Sequence, residues 1–66
     1  MRQEVKDSNY RTLGWIETGS DGEQTAMDAN YRTLGHYDPR TDETRDSNYR
    51  VIARGNVLSG LIYDQR

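Results

Sequence analysis

The chain has 66 residues, 32% of them hydrophobic, with no cysteine, one histidine and a net charge of -2 from 11 acids and 9 bases. That is one domain at most, with neither disulfides nor cysteine-based zinc sites, and a chain this small buries only about 60% of the surface its unfolded form exposes. With no basic block for nucleic acid, no 18-residue apolar run for a membrane span and no apolar leader in residues 1–6, the default expectation is a cytoplasmic protein of bacterial type with neither a nucleic-acid nor a membrane partner.

Residues 2–6 alternate loosely around Val5 and read as a short edge strand. Asp7-Ser8-Asn9 reads as a turn, because Asp and Asn side chains bond nearby backbone and Asn tolerates positive φ. Residues 10–17 are rich in β-branched and aromatic side chains, which suit a pleated, half-buried surface. Gly14 inside them marks a bulge or a close backbone approach. Residues 2–17 therefore predict a hairpin.

The same unit returns twice. Asp7-Ser8-Asn9-Tyr10-Arg11-Thr12-Leu13-Gly14 matches Asp28-Ala29-Asn30-Tyr31-Arg32-Thr33-Leu34-Gly35 at seven of eight positions. A third copy, Asp46-Ser47-Asn48-Tyr49-Arg50, runs on into Val51-Ile52-Ala53-Arg54. The spacings are 21 and 18 residues. Residues 18–22 form a loop by composition, and Pro39 presets φ in the turn of residues 38–42. Hairpins are thus predicted over 2–17, 23–38 and 43–54. An antiparallel meander is the simplest way to join them.

Residues 57–63 are the most apolar stretch. Two readings stand. Gly55-Asn56 is a two-residue hairpin signal, making a last strand. Alternatively, Asn56 caps a short helix with Leu58, Leu61 and Ile62 on one face. Gly60 weakens a helix by about 1 kcal/mol, so the strand is preferred. The fold class expected is all-β, with room for one short C-terminal helix.

Strict alternation would set Tyr10, Thr12, Gly14 and Ile16 against Arg11, Leu13, Trp15 and Glu17, leaving apolar groups on both faces. A bulge at the glycines would instead shift the register and gather Leu13, Leu34 and Ile52 on one side. Without the bulge, a second chain is the economical cover, so a homodimer formed by hairpin or strand exchange is expected. Trp15, Ile16, Val57, Leu58, Leu61 and Ile62 are its candidate interface.

Repeated Tyr10, Tyr31 and Tyr49 either form an aromatic platform or pack across strands with their hydroxyls outward. Repeated Arg11, Arg32 and Arg50 either bind anions or pair with Asp7, Asp28 and Asp46. Together these six make a candidate ligand face for anions or sugars. The Asp-x-Asn units lack the Gly and distal Glu of a calcium loop and are explained by turn chemistry. Lone His36 suggests no triad, and the two glycines of the 18–23 loop do not make a phosphate loop. No catalytic set, metal site or cofactor is expected.

The three Asp-x-Asn-Tyr-Arg units resemble the YD-type β-repeats of bacterial shell and wall proteins, with Tyr here where that unit has Gly before its Arg. The whole chain, with its Gly55-Asn56-Val57-Leu58 tail, is more similar to small bacterial proteins of tandem Asp-x-x-x-Arg-x-x-Gly hairpins. That resemblance implies a self-associating β protein and brings no activity with it. The leading expectation is a non-enzymatic protein acting by self-association or partner binding. The alternative is a small-ligand binder.

Overall fold

The structure, a computed structural model, describes residues 1–64. Six strands, β1 (Arg2–Lys6), β2 (Thr12–Thr18), β3 (Gln24–Asp28), β4 (Thr33–Asp38), β5 (Glu43–Asp46) and β6 (Val51–Arg54), form one sheet in sequence order. Every neighbouring pair is antiparallel. The result is the expected meander of three hairpins. A short helix, α1 (Leu58–Asp64), packs on β2, β3 and β4. No helix among the described residues is long and apolar enough to cross a membrane.

One turn is built three times. Asp7 Oδ1 accepts the backbone N–H of Asn9 at 2.8 Å and of Arg11 at 2.9 Å. Asp28 and Asp46 do the same for Asn30 and Arg32, and for Asn48 and Arg50. The carboxylates therefore hold the arginines by their backbone. The residue with positive φ is the tyrosine, at 62° in Tyr10, 66° in Tyr31 and 65° in Tyr49. Asparagine was the expected occupant. A three-residue hairpin loop puts its left-handed residue last, after a type I turn, and here that place falls on Tyr. The strands consequently resume at Thr12, Thr33 and Val51.

The register settles which faces are apolar. It shifts between Val5 and Lys6, between Ala26 and Met27, and between Thr44 and Arg45. Leu13, Leu34 and Ile52 are the extra residues on the partner strands, each directly before Gly14, Gly35 or Ala53. The bulge brings Leu13 and Leu34 to the helix side. There, with Val5, Ile16, Tyr37 and Leu61, they surround the fully buried Ala26, Leu58 and Ile62.

The preferred strand reading of the tail gives way to a helix for two reasons. Asn56 Oδ1 accepts the Leu58 N–H at 3.1 Å, an N-cap. The sheet also offers a shallow notch of small residues. A Cβ on Gly35 would lie 2.5 Å from the Arg45 carbonyl oxygen and 2.6 Å from Leu61 Cδ1, and one on Gly14 would meet the Met27 carbonyl and Ile62. Tertiary packing of this kind outweighs the weakness of a seven-residue helix. Buried Thr44 ties down its entry, donating to the Gly55 carbonyl at 2.5 Å and accepting the Val57 N–H at 3.2 Å. The cover that packing arguments assigned to a second chain is supplied on this face by the chain's own helix. Leu58 and Ile62, offered as interface residues, are 0% exposed within it.

Candidate functional site: the open sheet face

Trp15 lies between Gly14 and Ile16, which face the helix, so alternation turns it to the opposite, open face. Trp15 pairs with Met27, and His36 with Thr25 and Arg45. Two of the three turn tyrosines, Tyr31 and Tyr49, lie down over this face. Tyr31 stacks on Trp15 with centroids 5.6 Å apart and planes 6° from parallel. Tyr49 stacks on His36 at 4.4 Å and 5°. In each case the tyrosine of one hairpin covers the residue after the glycine of the hairpin before it.

The first stack carries a cation. The Arg2 guanidinium lies 5.4 Å from the Tyr31 centroid and 5.9 Å from that of Trp15, while its Nε and Nη2 donate to Glu17 Oε2 at 3.2 and 3.1 Å. Trp15 Nε1 is buried without a hydrogen-bond partner among the described residues. An unmet buried donor costs about 1–3 kcal/mol, so the ring is held here by its packing. Tyr10, with no preceding hairpin to cover, is 83% exposed. The Lys6 ammonium approaches its ring at 6.0 Å.

Beside the second stack is a cleft of about 230 Å³ lined by Glu23, His36, Asp38, Arg45 and Tyr49. Arg45 Nη2 is held by Glu43 Oε1 at 3.2 Å. His36 Nδ1 lies 3.3 Å from Thr25 Oγ1. Asp38 Oδ1 accepts the Arg40 N–H at 2.9 Å. The cleft thus offers donors on Arg45 and Tyr49 and acceptors on Glu23 and Asp38, which can hydrogen-bond a small polar molecule. Among the described residues no group of three or more His, Cys, Asp or Glu could hold a metal ion.

Two ionisable groups near the sheet rim are perturbed. Thr12 Oγ1 donates a 2.5 Å hydrogen bond to Glu4 Oε2 and holds that carboxyl below its ordinary value, with Lys6 adding to the effect against some desolvation. Tyr37 donates to Asp42 Oδ1 at 2.7 Å, which raises its hydroxyl above the ordinary phenol value, helped by desolvation and by the charges of Asp42 and Asp38.

The candidate ligand face is divided by the structure. Tyr31 and Tyr49 lie on the open face and Tyr10 stands apart. Arg11, Arg32 and Arg50 sit at one end of the sheet, beside the three repeated turns, and none lines the cleft. Neighbouring strands are about 4.8 Å apart, so corresponding turns two strands apart stand roughly 10 Å from one another. Of the candidate interface, Ile16 and Leu61 pack against the core and Val57 is 38% exposed. Sequence reasoning passed over Glu23, Asp38 and Arg45, and gave His36 no role. The available signal was the residue after each repeated glycine, which the turn tyrosine of the next hairpin covers.

No family model, curated protein or solved structure matches the chain.

Proposed function

We propose that the chain is a non-enzymatic binding module that takes protein partners, copies of itself included, on its open sheet face. The observation carrying this reading is the backbone of Tyr31 and Tyr49. Left-handed φ is unfavourable for a bulky residue, by roughly 1–2 kcal/mol, and strain of this kind clusters at functional sites. Here it sets aromatic rings on a surface that still leaves Tyr31 52% and Tyr49 59% exposed. Aromatic side chains in such settings are enriched at interfaces.

The test is sedimentation equilibrium of the full chain and of the double variant Tyr31→Gly/Tyr49→Gly. Glycine adopts the same φ without strain, so the fold persists while the rings are lost. The reading expects concentration-dependent association in the wild type and weaker association in the variant. Identical behaviour of the two, or a monomer at every concentration, contradicts self-association through this face.

A second reading is favoured by the cleft beside Tyr49. Its volume, about 230 Å³, and its mixed donors and acceptors suit a small neutral polyhydroxyl ligand better than an anion, which Glu23 and Asp38 would repel. Titration with neutral sugars should then shift the resonances of His36, Arg45 and Tyr49 while leaving Arg11, Arg32 and Arg50 in place.

A further inference from the structure

The chain contains two junctions between successive hairpins, β2 with β3 and β4 with β5, and both are assembled from the same parts. Gly14 or Gly35 of the earlier hairpin lies opposite Asp28 or Asp46 of the next. The carbonyl oxygen of the residue before that aspartate, Met27 or Arg45, occupies the place a glycine Cβ would take. The residue after the glycine, Trp15 or His36, lies opposite Met27 or Arg45 and beneath Tyr31 or Tyr49.

β1 carries one half of such a junction on the sheet's free edge. Residues 4–11, Glu-Val-Lys-Asp-Ser-Asn-Tyr-Arg, match residues 43–50, Glu-Thr-Arg-Asp-Ser-Asn-Tyr-Arg, at six of eight positions. Met1 and Asp7 turn their backbone groups toward β2, so alternation turns those of Arg2, Glu4 and Lys6 outward. Charged side chains usually blunt an edge strand. Here they do not decide the matter, because Glu43 and Arg45 hold the corresponding places in β5, paired at 3.2 Å as Glu4 and Lys6 are at 3.5 Å, and β5 docks on β4 all the same. The Lys6 carbonyl, counterpart of the Met27 and Arg45 carbonyls that lie against glycines, accepts the Tyr63 hydroxyl at 3.3 Å. Tyr10 has the same left-handed backbone as Tyr31 and Tyr49 and, among the described residues, no ring beneath it.

The other edge of the sheet does not supply the missing half. β2 runs four residues past Gly14 and β4 three past Gly35, whereas β6 ends one residue past Ala53. Gly55, at φ 84°, turns the chain away.

Building on the reading of the chain as a protein-binding module, we propose that the free edge of β1 takes an extended strand of another chain. That strand runs antiparallel to β1, places a glycine opposite Asp7, and lays a flat side chain, Trp or His, opposite Lys6 and beneath Tyr10. It displaces the Tyr63 hydroxyl from the Lys6 carbonyl. Backbone hydrogen bonds supply affinity, and the glycine and flat residue supply selectivity, as in strand addition generally.

The test uses the full ¹⁵N-labelled chain and a peptide with the sequence of residues 31–38, Tyr-Arg-Thr-Leu-Gly-His-Tyr-Asp. The expected result is saturable shifts at Glu4, Lys6 and Tyr10. A peptide with valine in place of glycine should bind at least tenfold more weakly. Tyr10→Ala and Tyr10→Gly should each weaken binding by about 2- to 10-fold, the worth of one stacked aromatic pair. Tyr63→Phe should leave it unchanged or tighter. Shifts confined to β6 or the cleft, equal affinity for the two peptides, or no shifts at millimolar peptide would overturn the proposal. Such a failure would leave the open-face reading standing, since that rests on Tyr31 and Tyr49, which the peptide does not touch.

Discussion

Tyr49 lies face to face with His36, ring centroids 4.4 Å apart, although the two belong to different hairpins. The turn aspartate Asp46 bonds Asn48 and Arg50, the left-handed backbone of Tyr49 brings the ring back over the sheet, and the register of β4 with β5 puts His36 beneath it. Tyr31 on Trp15 repeats the relationship one hairpin earlier.

If stacking offsets backbone strain, Tyr31→Ala and Tyr31→Gly should differ. Alanine keeps the strained φ and loses a ring pair worth about 0.5–1.5 kcal/mol. Glycine loses the same pair but relieves roughly 1 kcal/mol of strain. Urea denaturation should therefore find the alanine variant less stable and the glycine variant near wild type. A double-mutant cycle with Trp15→Ala should return a coupling of about 0.5–1.5 kcal/mol. Zero coupling would mean the rings merely lie near one another.

Three glycines should respond differently to alanine. At Gly35 the added carbon meets the Arg45 carbonyl and Leu61, and at Gly14 the Met27 carbonyl. Overpacking costs about 1–3 kcal/mol, a large share of a small domain's stability. Gly60 has nothing within 4 Å of such a carbon, so Gly60→Ala should stabilise the helix by up to about 1 kcal/mol. Thermal melts of the three variants check the order.

The entry to α1 depends on two polar side chains. Asn56→Ala removes the cap, at about 1 kcal/mol. Thr44→Val keeps the volume but leaves the partly buried Gly55 carbonyl and Val57 N–H without their partner, which should cost more than the cap, up to about 1–3 kcal/mol in all. Hydrogen exchange of the Val57 and Leu58 amides should accelerate in both variants. Unchanged protection would contradict this account of helix docking.

Two groups give opposite pH dependences. The folded value of Glu4 is lowered, first by Thr12, so its contribution is present above the unfolded carboxyl value and is lost as pH falls through the folded one. That of Tyr37 is raised, first by Asp42, so its contribution is present below the unfolded phenol value and is lost as pH rises through the folded one. Carbon-detected titrations should place Glu4 low in the wild type and nearer its ordinary value in Thr12→Val. Asp42→Asn should bring Tyr37 down.

Much of this architecture is legible in the residues. The Asp-x-Asn units mark the three turns by side-chain chemistry alone, and the β-branched and aromatic runs mark the strands between them. The glycines signal the bulges, though only the register shows that Leu13 and Leu34 reach the core while Ile52 remains 46% exposed. The left-handed tyrosines were hidden because asparagine is the more common occupant of such a backbone. The helix was legible as one of two readings, with Asn56 as its cap, but the strand was preferred because the helix draws its stability from a notch made by Gly14, Ala26 and Gly35, residues far from it in the chain. The open face was hidden because its members, Trp15, His36 and Arg45, lie in three different strands.

The central claim is that Tyr31 and Tyr49 are held across hairpins as part of one ordered surface. A nuclear Overhauser spectrum of the labelled full chain tests it most directly. The account predicts cross-peaks from the Tyr31 ring to Trp15 and from the Tyr49 ring to His36, with strong intraresidue amide-to-Hα peaks at Tyr10, Tyr31 and Tyr49 reporting positive φ. Absent inter-hairpin cross-peaks, with ring shifts at their random-coil positions, would contradict it.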